Sequence, residues 1–242
     1  MKILVTGHEG FIGSHVSEHL RSLGYEVEGL SFPDDINNFK GNFKGGNYGL
    51  IIHLAAFANI RGSLDNPDLF WENNVEKSKP LFEWCRQTNT RILYASSSAV
   101  HEWWINPYAI TKKVNEVQAP PNSVGMRFFN VWSEKGSRND MLYRMLQENT
   151  AKYLTRHRRD WIHVHDVARA ICFLMPDKFR GVIDVGTGKT TSVLELAEKM
   201  GKGHLPIKED TPGERDETCA DTTELTKLGW HPTINILDFA SP

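Results

Sequence analysis

The sequence predicts an α/β chain built on a doubly wound parallel sheet, and two observations lead to that class. Brief apolar runs of strand type alternate with segments whose apolar residues recur at helical spacing. The first of those runs, KILVT, opens through glycines directly into an amphipathic helix, a strand-to-helix unit that belongs to parallel sheets. The chain has 242 residues, enough to bury a sizeable core.

Taken in order, Lys2–Thr6 is a strand because four of its five residues suit a buried β position, and residues 15–23 carry helical spacing. YEVEGLS is a second strand ending at Ser31. The stretch 31–47 is rich in Asn, Gly and Phe without periodicity and is expected to be mostly loop. Leu50–His53 (LIIH) is the next strand, 69–87 a single long helix, and 91–95 (RILYA) a strand. A helix follows over 108–118, then a strand over 124–129 (VGMRFF). From Ser133 the pattern loosens; a helix at 165–175 and a strand at Gly181–Val185 close the sheet. Residues 202–219, with two prolines and mixed charges, are expected to be surface connection.

Bulk properties exclude several functions. A net charge of −2 and a charged fraction of 24% give no whole-chain basic signature, so no nucleic-acid partner is expected, although Arg156-His157-Arg158-Arg159 forms a local basic run. No apolar stretch approaches membrane-spanning length and the N-terminal run is too short for a signal peptide, so the expectation is a cytosolic protein without a membrane partner. Cys85, Cys172 and Cys219 are odd in number and show no metal-ligand spacing, which predicts three buried thiols, no disulfide framework and no metal.

GTGKTTS, at residues 186–192, imitates the end of a nucleoside-triphosphate loop. Such a loop needs its first glycine at position 183, which is Ile183 inside a strand. Ser192 and Glu195 instead have the Ser-x-x-Glu spacing that caps the helix VLELAEKM.

Two motifs carry the chemistry. In TGHEGFIG, Gly7, Gly10 and Gly13 join the first strand to the first helix, so backbone amides can face a pyrophosphate that any larger side chain would hold away. Tyr108 and Lys112 stand one helical turn apart and share a face. A free tyrosine titrates near pH 10, and making it a base at neutrality takes about 4 kcal/mol, which a neighbouring ammonium can supply. Tyr108 alone among the six tyrosines has a lysine at that spacing. Upstream, the strand RILYA ends in Ser96-Ser97-Ser98 at the carboxyl edge, where ligands bind in such sheets.

With TGHEGFIG, HLAAFANIRGSLDNP, SSSAV, PYAITKK, RFFNV and RDWIHVHDV in order along most of its length, the chain resembles the extended short-chain dehydrogenase/reductase family, its NAD-dependent nucleotide-sugar epimerases and dehydratases. AFANIRGSLDNP and RFFNVWSEKGSRNDM bring it nearest to the UDP-glucuronate 4-epimerase type. The resemblance implies a Rossmann-like dinucleotide-binding domain over 1–132 plus 160–188, and a small C-terminal substrate-binding region over 133–159 plus 189–242. It implies NAD held by Gly7, Gly10, Phe11, Ile12, Gly13, Ser31, Asp35, Ile36, Leu54, Ala55 and Ala56, with Tyr108 and Lys112 also in reach. Tyr108 would be the base, Ser97 (with Ser98 the alternative) the hydroxyl that holds the reacting oxygen, and Lys112 the group that lowers the tyrosine and bonds the nicotinamide ribose. Ser98, Asn130, Arg138 and Arg159 would contact the nucleotide sugar, Arg159 at the diphosphate and Arg138 at a sugar carboxylate. A homodimer through two helices per subunit is the family's habit.

Departures from the pattern keep other readings open. Ser31 stands where NAD-preferring members carry an aspartate, which leaves NADP possible, although Glu9 would repel a 2′-phosphate and no arginine follows Ser31. Asn130 stands where glucuronate epimerases more often carry threonine. Several connections are short, as in a reduced member whose substrate lid is incomplete, which a partner chain could complete. An NADPH-dependent keto-sugar-nucleotide reductase, a dehydratase and a catalytically silent dinucleotide-binding regulator are therefore the alternatives to an epimerase.

Overall fold

The computed structural model describes residues 1–31, 46–135, 141–176, 179–209 and 211–241. Its strands are β1 (Lys2–Thr6), β2 (Glu26–Leu30), β3 (Leu50–His53), β4 (Ile92–Ser97), β5 (Ser123–Phe128), β6 (Asn130–Trp132), β7 (Arg158–His163), β8 (Gly181–Val185), β9 (Thr190–Ser192) and β10 (Glu217–Thr218). Its helices are α1 (Phe11–Ser22), α2 (Ile60–Asp65), α3 (Pro67–Trp71), α4 (Lys79–Thr88), α5 (Pro107–Gln118), α6 (Leu142–Gln147), α7 (Val164–Leu174), α8 (Val193–Lys199) and α9 (Thr223–Leu228). A six-stranded sheet runs β2-β1-β3-β4-β5-β8, with β1 parallel to both β2 and β3, and β3 parallel to β4.

The chain divides into two compact units, residues 1–127 with 168–183 and residues 128–167 with 184–242. In the first, Leu4, Ile51, Leu81, Phe82, Cys85, Ile92 and Tyr94 form a core under the sheet, as continuous apolar strands and one apolar stripe on α4 require. Helix α1 buries Gly13, Val16, Ser17 and Leu20, spaced to share one face, and puts His19 and Arg21 in its last turn, where the helix dipole favours positive charge. Helix α5 starts where Asn106 accepts a bond from the Ala109 amide and Pro107, with no N–H to lose, takes the first position.

The long helix expected over 69–87 is broken. Pro80 cannot donate to the carbonyl of Glu76 and would clash with it, so a new helix begins at Lys79 with the proline in its first turn. Before it, Glu72–Glu76 winds as a single π turn that buries Asn73, Asn74 and Val75 in succession.

In the second unit, a small sheet runs β10-β7-β6, with β9 antiparallel to β7. Trp132, Tyr143, Leu146, Leu154, Trp161, Val193 and Leu196 are among the residues of its core. The carboxylate of Asp166, fully buried, accepts from the Thr233 amide at 2.9 Å, the Thr233 hydroxyl at 2.9 Å and the Ile234 amide at 3.0 Å, which fastens the C-terminal segment. Ser192 caps α8 by accepting from the Glu195 amide at 2.9 Å.

Two cysteines depart from expectation, Cys172 in part and Cys219 fully. Cys85 is buried and Cys172 half-buried, but Cys219 is exposed. It lies in an extended segment between the buried Thr218 and Ala220, and alternation along such a segment turns its side chain to solvent.

Candidate active site

The turn from β1 to α1 is tight enough to demand its glycines. Gly7 takes φ +70° and donates its amide to the Leu30 carbonyl at 2.6 Å; a Cβ on Gly13 would stand 2.0 Å from the Gly7 carbonyl oxygen. Gly10 is the extended N-cap of α1, with no side-chain cap and no acidic residue in the helix's first turn. The amides of Phe11, Ile12 and Gly13 therefore begin a twelve-residue helix whose positive end has no side chain of its own to satisfy it, a geometry that fits a pyrophosphate. Ser31, just past β2, accepts from the Glu9 amide at 3.1 Å, and its hydroxyl is 2.9 Å from His8 Nδ1. Asp35, Ile36 and Arg138 lie outside the described residues.

At the end of β3, Leu54, Ala55 and Ala56 continue from the strand. Leu54 donates to the Thr6 carbonyl at 3.1 Å and Ala55 to the Thr6 hydroxyl at 3.2 Å. Beneath them is a histidine with an assignable tautomer. The Ser78 hydroxyl donates to the Asn74 carbonyl at 2.9 Å, so at 3.0 Å it accepts from His53 Nε2–H; His53 Nδ1 then accepts from the Thr6 hydroxyl at 2.7 Å. Burial, with the positive charge of Lys112 adding to it, pushes the His53 imidazole down to about 3, so it is neutral at neutral pH.

Ser97, Tyr108 and Lys112 all belong to the first unit. Ser97 is the last residue of β4 and accepts from the Ala99 amide at 3.2 Å, starting the 3-10 turn Ser98–Ile105 that leads to α5. Ser98, its neighbour, is 9% exposed. Tyr108 is buried, its ring 6.5 Å from that of Phe70 in an edge contact. One turn along, Lys112 donates from Nζ to the Ala95 carbonyl of β4 at 2.9 Å, and Nζ is 5.9 Å from the Tyr108 ring centroid. Burial pushes the Lys112 ammonium down to about 8, so at neutral pH a positive charge sits beside the tyrosine in a site of low polarity. A hydroxyl, a phenol and an ammonium presented in this way can move a proton from a substrate alcohol.

In the second unit, Asn130 opens β6 and is half-buried, and the basic run separates into distinct roles. Arg156 is exposed and pairs with Glu209 at 3.1 Å; Arg158 pairs with Glu217 at 3.6 Å. Arg159 is 8% exposed and donates to the carbonyls of Arg158 and Asp216 at 3.1 Å each, with Glu214 at 3.5 Å. The GTGKTTS turn is accounted for as well. Asp160, fully buried, accepts from the Thr187 amide, the Thr187 hydroxyl and the Gly188 amide at 2.7–2.8 Å and from the Ala220 amide at 3.1 Å. Those amides point at a carboxylate of the chain itself.

Sequence reasoning missed the polar groups buried around this machinery: the Thr6-His53-Ser78 relay and a carboxylate on α5, Glu116, described below. Their signal was a histidine ending an all-buried strand, LIIH, and an acid one turn beyond Lys112. Among the described residues no cluster of His, Cys, Asp or Glu could hold a metal ion, and no helix is long and apolar enough to cross a membrane.

A UDP-glucuronate 4-epimerase of Thermodesulfobacterium geofontis is 26% identical, over 96% of this chain and 92% of the relative; UDP-glucuronate 4-epimerase 1 of Arabidopsis thaliana is 28% identical, over 98% and 74%. The first of those alignments spans 297 positions against 242 residues here, so the relative carries segments that this chain lacks. The solved structure of MoeE5 in complex with UDP-glucose and NAD superposes with a TM-score of 0.84 at 26% identity, over 98% of this chain and 95% of that one. The sequence model of the NAD dependent epimerase/dehydratase family matches residues 3–186. The chain therefore belongs to the NAD-dependent epimerase/dehydratase family of enzymes, on a Rossmann-like parallel sheet.

Proposed function

We propose that this enzyme is a nucleotide-sugar 4-epimerase acting on a UDP-hexose or UDP-hexuronic acid. The observation that carries the proposal is the buried Lys112 ammonium beside Tyr108, on a helix bonded to the strand that ends in Ser97. When bound, NAD supplies a reversible hydride acceptor for C4 of the sugar. Lys112 stabilises the Tyr108 phenolate, which takes the proton from the C4 hydroxyl as that carbon is oxidised. Ser97 donates a hydrogen bond to the same oxygen and keeps it in line with Tyr108. Once the 4-keto sugar has presented its other face, Tyr108 returns the proton and the hydroxyl is restored with inverted configuration. Gly7, Gly10 and Gly13 would hold the cofactor's pyrophosphate, and Asn130 and Arg159 would contact the nucleotide sugar.

The relatives' names support the UDP-sugar class. Against a dehydratase, Ser98 and Ala99 follow Ser97 where that reaction calls on an Asp-Glu pair. A keto-sugar-nucleotide reductase using NADPH is the second reading, supported by Ser31 with its His8 partner in place of an acid after β2. The test is incubation with UDP-glucuronate, UDP-glucose and UDP-N-acetylglucosamine, with and without NAD or NADPH, and separation of the products. A C4 epimer without net change of cofactor, abolished in Tyr108→Phe, is expected; stoichiometric loss of NADPH would transfer the assignment to the reductase. A cytosolic homodimer is part of the proposal, and light scattering of the purified protein checks its stoichiometry.

A further inference from the structure

A buried carboxylate on the catalytic helix does no chemistry in the scheme above. Glu116 lies one turn beyond Lys112 on α5, and its side chain is 3% exposed. Its Oε1 accepts from the Ser96 hydroxyl at 2.6 Å and from Arg127 Nε at 2.8 Å, and its Oε2 accepts from Arg127 Nη2 at 2.9 Å. Lys113 Nζ, on the helix itself, is 3.9 Å from Oε2, and Tyr94 is the other titratable group whose charge balance Glu116 affects. The fork-on-fork geometry with Arg127 allows little rotation of the carboxylate.

The partners matter by position. Ser96 directly precedes Ser97 on β4, and Arg127 is on the neighbouring strand, β5. Tyr94 on β4 packs over Gly125 on β5 so closely that a Cβ there would lie 2.4 Å from the tyrosine oxygen, so the two strands lie close together at this level. Two side-chain bonds thus tie α5 to successive residues at the end of β4: Lys112 to the Ala95 carbonyl, and Ser96 to Glu116. Tyr108 and Lys112 ride on the helix being held, and Ser97 on the strand holding it.

We propose that Glu116, through Ser96 and Arg127, is a positioning residue that sets the register of Tyr108 and Lys112 against Ser97. The inference rests on the catalytic roles assigned above and adds one further residue to them. A buried ion pair is weak evidence of stability, because removing two charges from water costs about as much as their attraction returns, so its use here is geometric.

The experiment compares wild type, Glu116→Gln and the milder Ser96→Ala, each scored per folded molecule that binds NADH. For Glu116→Gln, kcat falls about 10- to 100-fold while KM for the nucleotide sugar stays within about twofold, as misplacement of reacting groups predicts. Ser96→Ala falls less, in the same direction. A second readout is the pH at which the Tyr108 phenolate forms with NAD bound, taken as the ultraviolet difference between each protein and its Tyr108→Phe counterpart. Removal of a negative charge alone would lower that midpoint; loss of Lys112 from its place beside the ring raises it, and a rise of about 1 pH is expected. An unchanged kcat per folded molecule, or a midpoint that falls, overturns the proposal. If wild type turns over none of the sugars, the epimerase reading fails, and the direction of the phenolate midpoint alone then decides for or against Glu116.

Discussion

Replacing Lys112 by methionine should end turnover and yet strengthen the fold. The ammonium is buried and pushed down to about 8 from an ordinary 10.5. Keeping the proton at neutral pH therefore costs about 3 kcal/mol. Methionine fills a similar volume without charge but leaves the Ala95 carbonyl without its donor, a loss of about 1–2 kcal/mol. The net is about 2 kcal/mol in favour of the variant at pH 7, or a melting temperature higher by about 4–8 °C in a chain of this length. The pH dependence follows from linkage. Between pH 8 and 10.5 the unfolded lysine still holds its proton and the folded one has released it, so wild type gains stability as pH rises through that window. Lys112→Met has no such gain, so the two stabilities should meet at about pH 9.5 and wild type should lead by about 1 kcal/mol by about pH 10.5. Urea unfolding of the cofactor-free proteins, followed by tryptophan fluorescence at several pH values, provides the comparison. Parallel stability curves from pH 7 to 10.5, or a less stable variant at pH 7, would refute the reasoning.

Three further outcomes follow from the same structure. Wild type should lose about 4–5 kcal/mol as pH falls from 6.5 toward 3, because the unfolded His53 takes a proton that the folded one refuses; His53→Asn should lack that component in acid denaturation, and equal slopes would count against it. Gly13→Ala should weaken NADH binding at least about tenfold in a fluorescence titration, since its Cβ must displace the Gly7 carbonyl from 2.0 Å; wild-type affinity would mean the turn is looser than described. A thiol reagent should label Cys219 promptly in the native protein and leave Cys85, buried and pushed up to about 12, until denaturant is added; simultaneous labelling would contradict their burial.

What the sequence made legible was whatever depends on a pattern spanning several residues. Lys2–Thr6, Leu50–His53 and Gly181–Val185 coincide with observed strands because an uninterrupted apolar run has few other uses, and Gly7, Gly10 and Gly13 stand out because a close approach of backbones excludes every other residue. Tyr108 and Lys112 were visible through helical spacing taken with the strand that ends in Ser96-Ser97-Ser98 just upstream. The small sheet of the second unit was not: β6 and β9 have three residues each and β10 two, too few to show a period, and β7 begins with two arginines and an aspartate that conceal its burial. The π turn at Glu72–Glu76 was hidden because its extra residue per turn mimics a continuing helix until Pro80. Asp160 looks like a solvated charge in sequence, and Arg159 reads there as a diphosphate contact; both are buried, with partners at Asp216, Thr187 and Ala220 far along the chain.

The carboxylate of Asp160 in the GTG turn also bears on how selectively the enzyme treats anions. A row of converging amides would attract any passing phosphate, and an enzyme whose substrate carries a diphosphate would then risk capturing it in the wrong place. Because Asp160 is covalently part of the chain, it competes for those amides as a tethered ligand, at an effective concentration that a free metabolite at millimolar levels does not match. The protein holds its own decoy in that turn, whereas among the described residues no side chain caps the helix end after Gly10.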